Sequence, residues 1–326
     1  MARKGPEILI VGGAGYVGSH FGLYLHDRGI PYTTLDNLSQ GRREFVRGEL
    51  LEADLRDPAS LRRALEGRAF SVIFHFAALI NVGESSERPF DYFENNVVGT
   101  FHLLRVGLEH GLKKFVFSST AATYGIPQTS QLEETHPRNP INPYGWTKLV
   151  VEQTLEQVCA QHGVGCALLR YFNAAGADEK GRAGEEHNPE THLIPLAIRA
   201  ALGRGPALTI YGDDYPTPDG TCIRDYIHVA DLAHAHWLAT EKLAPGQVLV
   251  YNLGSETGNS VREVLKGVEK ISGRPAPHKV GPRRPGDPPR LVAHARKARE
   301  ELGWRPQYDL EGILRTAWRW HSDHGR

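Results

Sequence analysis

The chain has 326 residues, of which 40% are hydrophobic and 23% are charged, which is typical of a globular protein with one large domain or two ordinary ones. Its 38 basic and 38 acidic residues give a formal net charge of zero, which argues against bulk binding to nucleic acid or to an anionic membrane. No apolar run approaches the roughly 18 residues of a membrane span. The three cysteines, Cys159, Cys166 and Cys222, include no Cys-x-x-Cys pair, so we expect reduced thiols in a cytoplasmic protein rather than a disulfide framework or a zinc site.

Short apolar runs and helical patterns alternate over the first half of the chain. Apolar runs bounded by small or polar residues predict buried strands, and apolar residues at helical spacing predict helices. The predicted strands cover 7–13, 31–37, 48–55, 70–78, 113–119 and 166–173, and the predicted helices cover 16–29, 57–67, 89–111 and 143–163. This alternation predicts an α/β fold with a doubly wound, Rossmann-type parallel sheet.

The alternation of strands and helices breaks near residue 174. A long, polar, glycine-rich loop follows at 174–192, and loops of this length are usually functional or mobile. Beyond it we predict helix 193–203, strand 207–212, a strand and then a helix over 223–239, strand 248–255, and a helical tail around a Pro/Arg-rich loop at 281–290. We therefore expect a cofactor domain over 1–173, with a contribution from 222–252, and a smaller C-terminal α/β substrate lobe over 174–221 and 253–326.

Four glycines mark the turn between the first predicted strand and the first predicted helix: Gly12, Gly13, Gly15 and Gly18. Glycines in this context make a tight turn, let the backbone approach a pyrophosphate, and let the helix pack on the strand. The phosphates would then lie on free N–H groups at a positive helix end. The motif predicts a dinucleotide site.

Asp36 ends the second predicted strand, 18 residues after Gly18. A carboxylate there accepts hydrogen bonds from the adenosine ribose and repels a 2′-phosphate, which favours NAD over NADP. Arg42 and Arg43 follow shortly after, and because arginines there can bind a 2′-phosphate, NADP remains an open alternative.

Tyr144 and Lys148 lie four residues apart, just after Pro143. Proline suits the first turn of a helix, and the spacing puts both side chains on one helix face. A nearby ammonium group stabilises a phenolate, so we expect Lys148 to lower the pKa of Tyr144 and make it a base. Ser118, Ser119 and Thr120 end a predicted strand at the carboxyl edge of the sheet, where ligands bind. This set predicts oxidation or reduction of an alcohol or sugar hydroxyl.

Motifs along almost the whole chain resemble the UDP-glucose (UDP-galactose) 4-epimerase family, within the extended short-chain dehydrogenase/reductases. The matching stretches include GGAGYVGSH, SSTAATYG, NPYGWTK, RYFNAAGA, HNPETHLIP and GDDYPTPDGTCIRDYIHV, of which the last is the most specific. The resemblance implies an NAD-dependent isomerase of carbohydrate and galactose metabolism. It also implies tightly bound NAD, a UDP-hexose substrate and a homodimer, which the apolar faces of helices 89–110 and 143–162 would suit.

The resemblance also implies roles for individual residues. Tyr144 would be the base, Lys148 its electrostatic partner, and Thr120 the hydroxyl beside C4 of the sugar. The cofactor would contact Gly12, Gly15, Tyr16, Val17, Gly18, Asp36, Asn37, Ser39, Gln40, Gly41, Asp54, Leu55, Phe76, Ala77, Ala78, Asn95, Ser118, Tyr144, Lys148 and Tyr171. The substrate would contact Val82, Thr120, Tyr144, Asn173, His192, Leu193, Thr209, Tyr211, Arg224, Arg284, Asp287 and Leu291.

Two residues depart from the family pattern. Ile80 stands where many relatives have a lysine near the cofactor phosphates. Leu291 falls at the position that limits the size of the hexose pocket, where relatives have tyrosine or a small residue. Leucine is intermediate in size, so acceptance of N-acetylated sugars stays open.

The C4–H of a hexose is not acidic, so a base alone cannot invert that carbon. Oxidation to a 4-ketone, rotation of the sugar, and return of the hydride to the opposite face would invert it. A 4-epimerase of another UDP-sugar, such as an N-acetylhexosamine, uronate or pentose, shares every catalytic residue and remains an alternative. So does a non-catalytic dinucleotide sensor, although it would not need Tyr144, Lys148 and Thr120 together.

A nucleotide-sugar 4,6-dehydratase is a third alternative, because it uses the same oxidation before an elimination. Elimination needs a further acid and base, whereas Ala121 and Ala122 follow Thr120 and cannot move a proton. His187 and His192 have no second carboxylate at helical ligand spacing, so we expect no metal.

Overall fold

The computed structural model describes residues 8–284 and 286–324. The N-terminal residue of the first predicted strand, Glu7, and Pro285 in the predicted 281–290 loop lie outside the described residues. Two compact units are present: the first comprises Met1–Gly125, Pro137–Arg170 and Ala233–Tyr251, and the second comprises Ile126–His136, Tyr171–Leu232 and Asn252–Arg326. No helix in the described part of the chain is long and apolar enough to cross a membrane.

The described strands are two to seven residues long. They are β1 (Ile8–Val11), β2 (Thr33–Asp36), β3 (Glu49–Glu52), β4 (Val72–His75), β5 (Lys114–Thr120), β6 (Gly165–Tyr171), β7 (Asn173–Ala175), β8 (Leu208–Tyr211), β9 (Ile223–Arg224), β10 (Tyr226–His228), β11 (Val248–Leu253), β12 (Asn259–Ser260), β13 (His278–Gly281) and β14 (Arg290–Leu291).

The helices follow the strands along the chain. They are α1 (Tyr16–His26), α2 (Pro58–Leu65), α3 (Val82–Glu87), α4 (Pro89–Tyr92), α5 (Gly99–Glu109), α6 (Pro143–Gln161), α7 (Leu193–Ala201), α8 (Val229–Lys242), α9 (Val261–Ser272), α10 (Arg296–Leu302) and α11 (Leu310–His324). Single 3₁₀ turns occur at Arg43–Phe45 and Ala121–Thr123, and a π-helical stretch, Phe93–Val98, joins α4 to α5.

The main sheet has seven strands in the order β11-β6-β5-β4-β1-β2-β3. The pairs β1–β2, β1–β4, β2–β3 and β4–β5 are parallel. Strand order reverses between β1 and β4, and ligands of such sheets bind at the carboxyl ends of the strands near this reversal. The predicted doubly wound α/β fold is therefore confirmed.

Apolar residues from the strands and from the helices that cover them form the core of the first unit. Leu9, Ile73, Phe115, Leu103 and Leu155 are almost completely inaccessible to solvent. Burial of each such side chain contributes roughly 1.5–3 kcal/mol. This core fixes the ends of the strands and the first turns of α1 and α6.

The predicted helix 89–111 is interrupted by the π-helical stretch, which sequence periodicity did not indicate. Within it, the buried amide of Asn96 donates to the carbonyl oxygen of Leu79 (2.9 Å) and accepts from the Leu79 N–H (2.8 Å). It also donates to Thr147 Oγ1 (3.1 Å). Such π-helical insertions often occur at functional sites.

In the second unit, α7, α9 and α11 pack on one another. Their buried faces contribute Ile194, Ile198, Leu265, Ile313 and Leu314 to a separate core. Three small sheets complete this unit: β7–β10, β8–β13 and the three-stranded β12-β9-β14. These sheets fix the backbone of several predicted substrate residues.

Candidate active site

The glycine turn has the geometry that its sequence predicts. Gly12 has a φ of +79°, and a Cβ atom there would lie 2.4 Å from the Ala77 nitrogen. A Cβ atom on Gly18 would lie 2.2 Å from the Gly12 oxygen. At Gly15, by contrast, a Cβ atom would meet no protein atom closer than 3.4 Å. Packing therefore does not require glycine at 15, and the missing side chain leaves the N-terminus of α1 open to an anion.

A cleft lies at the carboxyl ends of β1, β2 and β4. Twelve of the predicted cofactor residues line it, namely Gly12, Asp36, Asn37, Ser39, Gln40, Gly41, Asp54, Leu55, Phe76, Ala77, Ala78 and Asn95. Val11, Leu35, Ala53 and Leu79 also line the cleft and were not predicted. They could have been predicted from the sequence, because each lies near or just beyond the end of a predicted strand and next to a predicted cofactor residue.

Asp36 anchors two backbone segments at one side of the cleft. Its carboxylate accepts hydrogen bonds from the N–H groups of Leu38 (2.8 Å) and Ala14 (3.0 Å). Burial raises the pKa of Asp36, and these hydrogen bonds oppose that rise. A carboxylate has about four lone-pair sites, so it can still accept from a ribose hydroxyl.

The two arginines beyond Asp36 each have an acidic partner. Arg42 lies 3.5 Å from Glu44, and Arg43 is paired with Glu52. On the adjacent strand end, Asp54 is paired with Arg56 at 2.7 Å, which lowers its pKa. A 2′-phosphate near either arginine would therefore also meet a carboxylate, which disfavours its binding there.

The predicted catalytic pair lies at the start of α6. Asn142 caps this helix by accepting a hydrogen bond from the Gly145 N–H (2.8 Å), and Pro143 occupies the first turn. Tyr144 and Lys148 follow, one helical turn apart. The Nζ atom of Lys148 donates to the carbonyl oxygen of Ser118 (2.8 Å) in β5. This contact brings the start of α6 to the end of β5, whose last residue is Thr120.

Burial controls the proton affinities of the pair. It raises the pKa of Tyr144 to about 12, although a hydrogen bond with Thr120 opposes the rise. It lowers the pKa of Lys148 to about 7, against the attraction of Glu152. The sequence predicts that Lys148 lowers the pKa of Tyr144. The shift of Tyr144 is in the opposite direction because its desolvation dominates.

A buried charge network that the sequence reasoning missed lies one turn beyond Lys148. The side chain of Glu152 is 0% exposed and pairs with that of Arg170, which is 2% exposed, at 2.7 Å. Glu152 also accepts from Ser119 Oγ (2.5 Å) and from Arg138 (3.1 Å). The sequence feature that could have indicated a role for Glu152 is its position four residues after Lys148, on the same face of α6.

Predicted substrate residues of the second unit form two pairs. Arg224 in β9 contacts Asp287 at 3.1 Å, and the guanidinium carbon of Arg284 lies 3.8 Å from the centre of the Tyr211 ring. Leu291 in β14 pairs in register with Arg224. These contacts place two arginines, an aspartate and an aromatic ring in ordered positions.

The remaining predicted residues lie at the ends of elements or along strands. Asn173 donates from Nδ2 to the carbonyl oxygen of Asp225 (2.9 Å), and His192 is the residue that precedes α7. The others are Tyr16 and Val17 at the start of α1, Val82 at the start of α3, Tyr171 at the end of β6, Leu193 at the start of α7, and Thr209 in β8. Eight predicted cofactor residues are not among those that line the cleft, namely Gly15, Tyr16, Val17, Gly18, Ser118, Tyr144, Lys148 and Tyr171.

Comparison with known proteins adds the family and its solved structures. Residues 8–254 match the family model described as the NAD dependent epimerase/dehydratase family. The UDP-glucose 4-epimerase of Rhizobium leguminosarum bv. trifolii is 53% identical over 320 residues, which is 98% of each chain.

Two solved structures are similar over nearly their whole length. The structure of UDP-glucose 4-epimerase from Bifidobacterium longum in complex with NAD+ and UDP matches with a TM-score of 0.93 at 37% identity, over 97% of this chain and 98% of that one. The enzyme from Brucella ovis in complex with NAD matches with a TM-score of 0.92 at 47% identity, over 96% and 97% of the two chains.

Proposed function

The chain belongs to the NAD dependent epimerase/dehydratase family, and on that premise we propose that it interconverts UDP-galactose and UDP-glucose by transient oxidation at C4. The observation that carries this proposal is the set of Tyr144, Lys148 and Thr120 at the end of β5 and the start of α6. Relatives of this chain at 53% identity and below are named UDP-glucose 4-epimerase.

The residues around the cleft fit NAD. Gly15 leaves the N-terminus of α1 open for a pyrophosphate, and Asp36 lines the cleft, where its carboxylate would accept from a ribose. NAD would supply the redox chemistry, the oxidation of C4 to a ketone and its reduction from the opposite face. We assign the twelve cleft residues, together with Gly15, Tyr16, Val17, Gly18, Ser118, Tyr144, Lys148 and Tyr171, to its binding.

Tyr144 takes the proton of the 4-hydroxyl group and gives it back. In the structure the phenol holds its proton strongly, because burial raises the pKa to about 12. Two groups can lower the cost of the phenolate: the hydrogen bond with Thr120, and the ammonium form of Lys148. Positive charge on bound cofactor would add to this effect, so proton transfer is favoured once the cofactor is bound.

Arginines of the second unit bind the diphosphate in this proposal. Arg224 and Arg284 offer planar donors that suit phosphate oxygens, and we assign Asp287, which pairs with Arg224, to the uridine ribose. We assign Thr209 and Tyr211, which lie in β8, to the uracil ring. Val82, Thr120, Asn173, His192, Leu193 and Leu291 complete the assigned substrate residues. If the nucleotide is bound tightly and the hexose only loosely, the hexose can rotate about the diphosphate and present its opposite face.

Elimination is disfavoured by the residues that follow Thr120. Ala121 and Ala122 form the 3₁₀ turn directly after β5, and neither can donate or accept a proton. A dehydratase would need an acid and a base beside the ketone. These two residues therefore favour epimerisation over elimination.

We also propose a homodimer, formed through an apolar surface of the first unit. Phe90 is 87% exposed, and Phe93, Val98, Phe101 and Trp146 are exposed nearby in sequence or on α6. Large exposed apolar groups on adjacent helices are typical of an interface. Light scattering should give twice the monomer mass at micromolar concentration, and a monomer would refute the dimer.

The three cysteines are free and buried, which supports a cytoplasmic location.

The function can be tested with purified protein and one substrate. UDP-galactose is added without any cofactor, and the products are separated by chromatography. We expect UDP-glucose to form, and NAD to be released when the protein is denatured. A requirement for stoichiometric NAD⁺ with accumulation of NADH would show a dehydrogenase instead.

A further inference from the structure

Four side chains with metal-binding atoms meet in the segment before α7. Glu185, His187, Glu190 and His192 each offer one nitrogen or oxygen atom, and these atoms all lie within 4.8 Å of one another. We call them the 185–192 cluster. They come from only eight consecutive residues, in a loop that ends at the first turn of α7.

Three of the distances within the cluster approach those of a tetrahedral site. His187 Nδ1 lies 3.4 Å from Glu185 Oε1 and 3.7 Å from Glu190 Oε2. His192 Nδ1 lies 3.7 Å from Glu190 Oε1 and contacts Glu185 Oε1 directly. Tetrahedral zinc has bonds of about 2.0–2.2 Å to nitrogen and oxygen, which separates its ligand atoms by about 3.3–3.6 Å. Side-chain movements that separate His192 from Glu185 and bring one oxygen of Glu190 toward both histidines would complete such a site.

A second observation concerns the carboxylate of Glu190. Its side chain is 1% exposed, and one oxygen accepts from the N–H groups of Thr191 (2.8 Å) and His192 (2.9 Å). The other oxygen, Oε2, is buried without a hydrogen-bond partner among the described residues, and it faces His187. A buried carboxylate oxygen without a partner is costly, and a cation in the cluster would satisfy it.

We propose that Glu185, His187, Glu190 and His192 bind one zinc ion. Imidazole and carboxylate ligands suit Zn²⁺, and a site with four protein ligands is closed, as structural zinc sites are. The side chains of His192 and His187 are 46% and 21% exposed, so the ion can enter from solvent. The ion would hold the 185–192 loop to the first turn of α7 and fix the His192 ring.

This proposal goes beyond the epimerase function, and metal content can be measured without turnover. The untagged protein is expressed in zinc-containing medium, passed through a desalting column, and analysed by mass spectrometry for metals. We expect about one zinc per chain. Zinc removed with a chelator should be replaced by Co²⁺ with the visible absorption bands of a tetrahedral nitrogen/oxygen site.

Two ligand variants and one matched control test the assignment. Glu190→Gln and Glu185→Gln should each weaken zinc binding at least about 10–100-fold in a chelator competition, since even groups that only support a ligand have effects of that size. Glu133→Gln alters a carboxylate that also lies beside a histidine, His294 (3.9 Å), and should bind zinc as the parent does. Circular dichroism checks that each variant is folded.

The possible results separate clearly. Absence of zinc in the parent, combined with absence of tetrahedral Co²⁺ bands, would overturn the proposal and leave a cluster held by hydrogen bonds alone. Equal affinity in Glu190→Gln and Glu133→Gln would also overturn it. If both ligand variants fail to fold, the zinc content and Co²⁺ spectrum of the parent still decide.

Discussion

Lys148 donates a hydrogen bond of 2.8 Å from its Nζ atom to the backbone carbonyl oxygen of Ser118. This contact joins the first turns of α6 to the end of β5, where Thr120 lies. It uses one of the three ammonium donors and leaves two for other groups. Burial lowers the pKa of Lys148 to about 7, so the contact holds a lysine that loses its proton unusually easily.

Removal of the Tyr144 hydroxyl should abolish proton transfer and leave the site intact. We expect Tyr144→Phe to reduce kcat by about 10²–10⁴-fold, the usual contribution of a general acid–base group. NAD content and UDP affinity should change little. The matched control is Tyr308→Phe, which removes a hydroxyl that donates to Glu179 (3.0 Å). Unchanged turnover in Tyr144→Phe would contradict the catalytic assignment.

Loss of the Glu152 charge should destabilise the first unit. Glu152→Gln leaves the buried guanidinium of Arg170 without its anion, and breaking a buried pair in this way costs about 3–5 kcal/mol. Glu156→Gln is the control, since Glu156 pairs with the partly exposed Arg138 (3.0 Å) and should lose at most about 1 kcal/mol. Urea unfolding measures both, and equal losses would show that the network is not a source of stability.

Asp36 should contribute to NAD binding through its carboxylate. Hydrogen bonds to charged groups contribute about 1.5–3 kcal/mol, so Asp36→Asn should weaken NAD affinity by roughly 10–100-fold. The control Glu44→Gln alters the exposed partner of Arg42 and should bind NAD normally. Calorimetric titration of cofactor-free protein provides the measurement. Equal affinity in the two variants would remove Asp36 from the cofactor site.

Asp231 should make the protein less stable as the pH rises from about 4 to about 6. Burial raises the pKa of this carboxyl from 3.8 to about 6, against hydrogen bonds from the N–H groups of Gln307 and Tyr308. In that window the folded state binds more protons than the unfolded state, so the unfolding free energy falls with rising pH, by about 3 kcal/mol in total.

The matching variant for this pH effect is Asp231→Asn, which cannot titrate. It should be less stable overall, because Gln307 and Tyr308 donate to different carboxylate oxygens and an amide has an NH2 donor in place of one of them. Its unfolding free energy, measured with urea at several pH values, should nevertheless lack the fall attributed to Asp231. Parallel pH profiles for parent and variant would contradict the prediction.

Leu291 should influence the size of the sugar that is accepted. It occupies β14 in register with Arg224, and its side chain is half-buried. Leu291→Ser should raise kcat/KM for UDP-N-acetylglucosamine relative to UDP-glucose by about tenfold or more, and Leu291→Tyr should lower it, because one pocket contact can set such a preference. Coupled assays with the two sugars measure the ratio. An unchanged ratio in both variants would place the limit elsewhere.

The sequence by itself determined the parts of the molecule that depend on local order along the chain. Strand and helix patterns follow from periodicity, and the parallel sheet was predicted correctly from their alternation. Twelve of the predicted cofactor residues line one cleft, because the carboxyl ends of neighbouring parallel strands meet at one edge. The prediction of one continuous helix over 89–111 was wrong at the π-helical stretch, Phe93–Val98. Periodicity does not indicate the contacts of Asn96 with Leu79 and Thr147 that accompany this stretch.

Only the tertiary structure decided which distant charges meet and how strongly they are buried. Glu152 and Arg170 are 18 residues apart in sequence and in contact in space, and no spacing rule indicates that pairing. The direction of the Tyr144 pKa shift also required the structure, because desolvation depends on everything packed around the phenol. From spacing alone the sequence predicts no metal at His187 and His192, and helical spacing rules do not describe a loop in which Glu185, His187, Glu190 and His192 come within 4.8 Å of one another. That approach of four side chains is a property of the folded loop, which the order of residues alone does not fix.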